Sequence, residues 1–252
     1  MLKIAPISMM LLFLPLGSVQ AQQPVPAIEK LLPQIYDNAR EYLAKLPSLS
    51  CNESITSQAL KKGKVQKEVK IESVLREVRE TTGSNNFSEK HQFMSVDGHP
   101  PPPKFNIPFF VQGGFANALG FQSQDKIGCY DFQLASQESG KTIKLDIALK
   151  PNNPDSACHQ TLKDYRKTVL IEAASGRIIY VERTVSPEDF KLHHEVFFAS
   201  MEYGPQKMGD ETLWLPIRMT AHDPKNEGQM IVTYSNYHRY AASSTILPAD
   251  LR

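Results

Sequence analysis

Thr142-Ile143-Lys144-Leu145-Asp146-Ile147-Ala148-Leu149 puts an apolar residue at every second position and a smaller or polar one between. Successive side chains on a strand point to opposite faces, so this octapeptide has one greasy face and one wet face. Thr212 to Met219 repeats the pattern: Leu213, Leu215, Ile217 and Met219 alternate with Thr212, Trp214, Pro216 and Arg218. Working outward, turn residues punctuate the chain at Gly140, Pro151 to Pro154, Ser175-Gly176, Ser186-Pro187, Gly209-Asp210 and Gly228. Between about Ile127 and Tyr240 this predicts an antiparallel run with strands near 127–135, 141–149, 166–174, 177–186, 190–203, 212–222 and 229–241.

Toward the N-terminus, further strands are expected at Leu49 to Ala59, Val65 to Thr82 and Phe87 to Val96. The second is long for a globular strand. Its apolar phase switches near Ser73-Val74, where a bend or bulge is expected. Ala27 to Leu46 reads as an amphipathic helix, with Ile28, Leu31, Leu32, Ile35, Ala39, Tyr42, Leu43 and Leu46 on one face. Pro47 stops it. The fold class that follows is mainly β (α+β): a bent, open antiparallel sheet, or half-barrel, of about ten strands, with the N-terminal helix on its concave face.

Lys3, the apolar run Ile4 to Leu16 and Val19-Gln20-Ala21 have the form of a secretory signal with a small-residue cleavage site. The expected organisation is a signal peptide over 1–21, a linker over 22–26 and a single β-rich domain over 27–252. The apolar run is short for a membrane span and is interrupted by Pro6 and Pro15. No later segment is apolar enough to cross, so an exported protein of the periplasm or exterior is expected. Cleavage removes Lys3 and leaves 27 basic against 27 acidic side chains out of the 28 and 27 of the whole chain. That balance gives no electrostatic case for nucleic acid.

Pro100 to Pro103 read as a stiff connector; a proline-recognition ligand is the sharper alternative. It leads into the least polar stretch after the signal, Phe105 to Phe121. Phe105, Phe109, Phe110, Phe115, Leu119 and Phe121 are candidates to line a ligand cavity or form its lid, with Gly113-Gly114 as a hinge. The plainer reading is a core plug with a short helix around Gly114 to Leu119.

Three cysteines remain: Cys51, Cys129 and Cys158. The strands at 127–135 and 141–149 run out and back, which returns Cys158 toward Cys129 and makes them a disulfide candidate. Three reduced, buried thiols are the alternative. His193-His194 would point to opposite strand faces, and Cys158-His159 lacks a second pair at zinc spacing, so no metal is expected. HExxH, GxSxG, P-loop and GxGxxG patterns are absent. No catalytic residue and no cofactor are assigned. Asn52-Glu53-Ser54 matches a glycosylation triplet and, after a signal of bacterial form, earns no role.

Several segments carry a resemblance: Tyr42 to Ser54 (YLAKLPSLSCNES), FMSVDGHP, Cys129 to Leu134 (CYDFQL), Val169 to Glu182, Leu213 to Met219 and Tyr234 to Ile246. Together they resemble a group of exported bacterial proteins similar in architecture to the periplasmic lipoprotein-carrier (LolA/LolB-like) fold. The resemblance implies a helix held against a curved sheet whose concave face takes acyl chains. The expected function is non-enzymatic binding of an apolar ligand, a lipid or acyl chain, between sheet and helix. The alternatives are an envelope protein-interaction module with a filled core, and a hydrolase with a dispersed site.

Overall fold

The computed structural model describes residues 28–81, 86–111, 115, 128–138, 141–150, 166–185, 197–223 and 227–240. In chain order the elements are α1 (Ile28–Lys45), β1 (Leu49–Lys61), β2 (Lys64–Arg79), β3 (Phe87–Val96), β4 (Tyr130–Glu138), β5 (Thr142–Leu149), β6 (Arg166–Glu172), β7 (Ile178–Val185), β8 (Phe197–Met208), β9 (Glu211–Asp223) and β10 (Gly228–Arg239). The strands form one ten-stranded sheet in the order β3-β2-β1-β10-β9-β8-β7-β6-β5-β4. Every ladder is antiparallel. The open sheet therefore ends at β3 and β4.

The period-two pattern decides which face is covered. Ile143, Leu145 and Ile147 of β5 are buried, as are Val169 and Ile171 of β6, and they join one apolar cluster. Leu31 and Ile35 of α1 belong to the same cluster, so the helix and sheet share a core. Pro33 lies inside α1 and is exposed. It sits early enough in the helix that its missing N–H removes one intrahelical bond, to the Glu29 carbonyl.

The helix is anchored at two places. At one, Asn38 Nδ2 donates to the Ser175 carbonyl in the β6–β7 turn at 2.9 Å. Gly176 there has φ +68°, and a Cβ on it would lie 2.7 Å from Gln34, so only glycine lets helix and turn approach this closely. At the other, the Arg79 guanidinium at the end of β2 donates to the carbonyls of Leu43 (2.7 Å) and Leu46 (2.5 Å), capping the helix C-terminus.

Two irregularities differ from the sequence-based expectation. The register of β2 against β3 shifts between Glu72 and Ser73, opposite Ser95 and Phe93. The extra residue is therefore Met94 on β3, and β2 keeps its phase: Val69, Ile71, Ser73, Leu75 and Glu77 are all buried. What reads as a phase switch is two polar residues occupying inward positions. On β9, Glu202 and Tyr203 of β8 face Arg218 and Pro216, which leaves Ile217 as the extra residue. Pro216 costs no ladder bond to β10, because β9 pairs with β10 only over Arg218–Asp223. Beyond that point the backbone ladder ends, while Tyr237 still donates to the Pro216 carbonyl and Arg239 to Glu211.

The signal segment, the linker, Gly113-Gly114, Leu119, Phe121, Cys158, His159 and His193-His194 lie outside the described residues. No described helix is long and apolar enough to cross a membrane.

Candidate functional site

The C-terminal half of α1 lies over the first half of β9 and the facing part of β8, beside the β6–β7 turn. A cavity of about 320 Å³ results. Its walls are Ala39 and Tyr42 of α1, Leu46 just beyond its end, Ile178 of β7, Pro205 of β8, and Leu213, Trp214 and Leu215 of β9. Asn38, Glu41, Lys45, Arg177 and Thr212 complete the lining. The wall is apolar because the greasy stripe of α1 continues into it: Ala39 and Leu46 are buried there and Tyr42 packs on the core.

Trp214 is held in place. Its indole Nε1 donates to the Ile178 carbonyl at 2.8 Å, and the Arg177 guanidinium stands 5.6 Å from the ring centroid. Lys45 bonds Glu41 one helical turn away, and that bond holds the Glu41 carboxyl below the usual carboxylate range. Tyr42 meets Tyr203 edge-on at 6.1 Å. The hydroxyls of both are buried and find no hydrogen-bond partner among the described residues.

The phenylalanines stand elsewhere. Phe105, Phe109 and Phe110 are half-buried against the core over β1–β3, and Phe115 is 1% exposed. Phe93 contacts Phe105 and Phe110 edge-on at 5.5 and 5.7 Å. Phe115 packs on Tyr234 and Tyr237. Ser57 fastens Phe109 through both backbone groups: its hydroxyl donates to the Phe109 carbonyl at 2.7 Å and accepts from the Phe109 N–H at 2.9 Å. The described part of this segment thus has the contacts of a core plug.

Beneath the plug lies a polar group that the sequence reading missed. His91 of β3 is bracketed by two carboxylates, Glu53 Oε2 on Nδ1 and Glu89 Oε1 on Nε2, each at 2.8 Å. Glu53 is 1% exposed and His91 7%. A ring with a carboxylate on each nitrogen is best satisfied as imidazolium, which donates from both. Burial pushes the His91 pKa down, but the two hydrogen bonds and the two negative charges outweigh burial and hold it up at about 9. Glu89 Oε2 also accepts the Phe115 N–H at 3.4 Å, and Phe110 meets the imidazole edge-on at 5.1 Å. Glu53, Ser73 and Glu77 face the same interior. The only sequence signal for these residues was that they fall in phase with Cys51, Ile55, Ile71 and Leu75.

Cys51 is a free, buried thiol, and burial, then the Glu53 charge, push its pKa far up. It is therefore unreactive at neutral pH. Cys129 is buried, while its expected partner Cys158 is outside the described residues. Among the described residues no cluster of histidine, cysteine and carboxylate side chains has metal-binding geometry.

No protein-family model and no curated protein matches the chain. Among solved structures the chain is similar to a DUF1329 family protein from Desulfovibrio piger, with 12% identity, a TM-score of 0.41, and 84% of this chain and 95% of that chain covered. It is also similar to an outer membrane lipoprotein-sorting protein domain from Vibrio parahaemolyticus, with 12% identity, a TM-score of 0.46, and 84% and 92% covered. Function therefore has to be argued from this chain's own residues.

Proposed function

We propose that this is an exported, non-enzymatic protein of the cell envelope that binds an apolar ligand, such as a lipid or acyl chain, between α1 and a bent sheet that holds the helix on its concave side. The observation that carries this is the cavity of about 320 Å³ between α1 and β8–β9, walled by Tyr42, Leu46, Ile178, Leu213, Trp214 and Leu215. An apolar, partly enclosed space of this size falls at the lower end of small-ligand pockets, roughly 300–1,000 Å³, and suits a single chain. The lid role of Phe105 to Phe121 stays a proposal; Phe105, Phe109 and Phe110 lie over β1–β3, Phe109 is fastened there by Ser57, and none of them lines this cavity.

Trp214 is the one tryptophan of the chain and lines the cavity. Its emission therefore reports on this site without a label. Titrating a neutral long-chain alcohol into the purified protein should shift that emission blueward and saturate. Ala39→Phe, which fills the cavity from the helix side, should abolish the response. A flat titration, with no lipid extracted from the purified protein, would refute the reading. The interaction-module alternative would then lead, favoured by the close packing of Phe93, Phe105 and Phe110.

A further inference from the structure

Resting on that reading, we infer that the ligand is an amphiphile: one acyl chain ending in an anionic oxygen group, with the chain in the cavity and the head group on Arg177 at its mouth. The exposed charges of the lining are Glu41, Lys45 and Arg177. Glu41 and Lys45 satisfy each other along the helix. Arg177 makes no ion pair among the described residues, although its charge also acts on Glu41, and the three groups together leave the mouth one net positive charge.

That guanidinium is positioned as well as charged. It lies against the Trp214 ring, and the ring is pinned by its own bond to the Ile178 carbonyl. Arg177 itself leaves the tight β6–β7 turn, where its backbone N–H donates to Ser175 Oγ at 3.2 Å and its carbonyl accepts from Glu172. The backbone on both sides is therefore fixed. A guanidinium held near an aromatic ring by a cation–π contact still has N–H groups for a planar or tetrahedral oxyanion, and the contact reduces the entropy lost on binding. Ile178, next in sequence, is already in the apolar wall. One dipeptide thus joins the cationic mouth to the greasy interior, which is the polarity of an acyl chain and its head group.

The test uses Trp214 emission with five ligands of equal chain length: a fatty acid, its methyl ester, the alcohol, an alkyl phosphate and an alkyl trimethylammonium. The acid or the phosphate should bind about tenfold tighter than the ester, as one charge-assisted contact at a half-exposed site allows. Whichever of the two binds tighter names the head group. Raising the salt concentration should narrow the gap, and Arg177→Gln should close it. Ester and acid bound equally, a gap that survives Arg177→Gln, or an ammonium bound tighter than the ester would overturn the inference and leave the cavity reading standing. No response to any of the five, the alcohol included, would overturn both.

Discussion

Removing the imidazole of His91 should change how stability depends on pH. In the folded protein His91 holds its proton with a pKa of about 9, against an ordinary value near 6.5. A folded state that binds a proton more tightly than the unfolded chain gains stability from it. That gain is complete below about pH 6.5, falls as pH rises, and is gone once pH passes about 9. At about 1.4 kcal/mol for each tenfold of proton affinity, the ceiling is roughly 3.4 kcal/mol. Water and salt reaching the cluster reduce this, and about 2 kcal/mol is the working figure. Lys167, buried on β6, acts in the opposite direction: burial, with the Arg183 charge, lowers its pKa, so deprotonation at high pH relieves a cost. The wild-type curve alone therefore mixes two signs. The readout is the difference between wild type and His91→Gln in urea unfolding, taken from about pH 6 to about pH 9.5, and it should shrink by about 2 kcal/mol across that window. An NMR titration of the imidazole should give a midpoint well above the ordinary value. A pH-independent difference, or a midpoint at or below about 6.5, would show that the two carboxylates do not hold the charge as the geometry requires.

Four other outcomes are expected, two from the packing and two from the sequence. Phe115→Ala should cost ~3–5 kcal/mol of folding free energy, since the ring is fully buried; if the segment is instead a working lid, the variant should lose binding of a fluorescent fatty-acid probe more than it loses stability. Gly228→Ala should destabilise by about 1–3 kcal/mol, because a Cβ there would meet the Phe109 ring at 2.7 Å while Ser57 holds Phe109 in place; denaturant midpoints measure it. Non-reducing peptide mapping should find Cys129 linked to Cys158, with Cys51 resisting alkylation until the protein unfolds; a native Cys51 adduct would contradict its burial. N-terminal sequencing of exported material should begin at Gln22, and recovery with Met1 intact would contradict export.

The central strands were legible because one face of each is buried and the pleat has period two. Ile143, Leu145 and Ile147 could be assigned to one face from the sequence alone. The same logic hid the polar interior. Glu53, Ser73 and Glu77 occupy inward positions, and a pattern rule sends polar residues outward. Ser73 therefore reads as a change of phase, and Glu53 stands out in the sequence only within a glycosylation triplet. Which carboxylates reach His91 depends on pairing β1 with β2 and β2 with β3, and no local window contains that information. The helical wall of the cavity, Ala39, Tyr42 and Leu46, was visible as an apolar stripe. The cavity itself was not, because it exists only where that stripe, the β6–β7 turn, β8 and β9 come together in space. Pro216, a residue that central ladders reject, marks only where the β9–β10 ladder ends. The phenylalanines drew attention by their density, but density of apolar residues signals a packed core at least as often as a binding surface.

The order of strands also sets how this chain must assemble. β1, β2 and β3 are neighbours in sequence and in space, and so are β4 through β10. Each set can form from short-range hairpins. The two sets meet only along the β1–β10 ladder, where Ile55 pairs with Val232, roughly 180 positions away. Closing so long a loop costs little more than closing one half its length, yet the contact cannot form until nearly the whole chain is present. Until then β1 exposes an unpaired edge beside Cys51 and Ile55, open to any other strand it meets. The seam between β1 and β10 is thus where folding is slowest, and where a single substitution would do most to divert the chain toward aggregation.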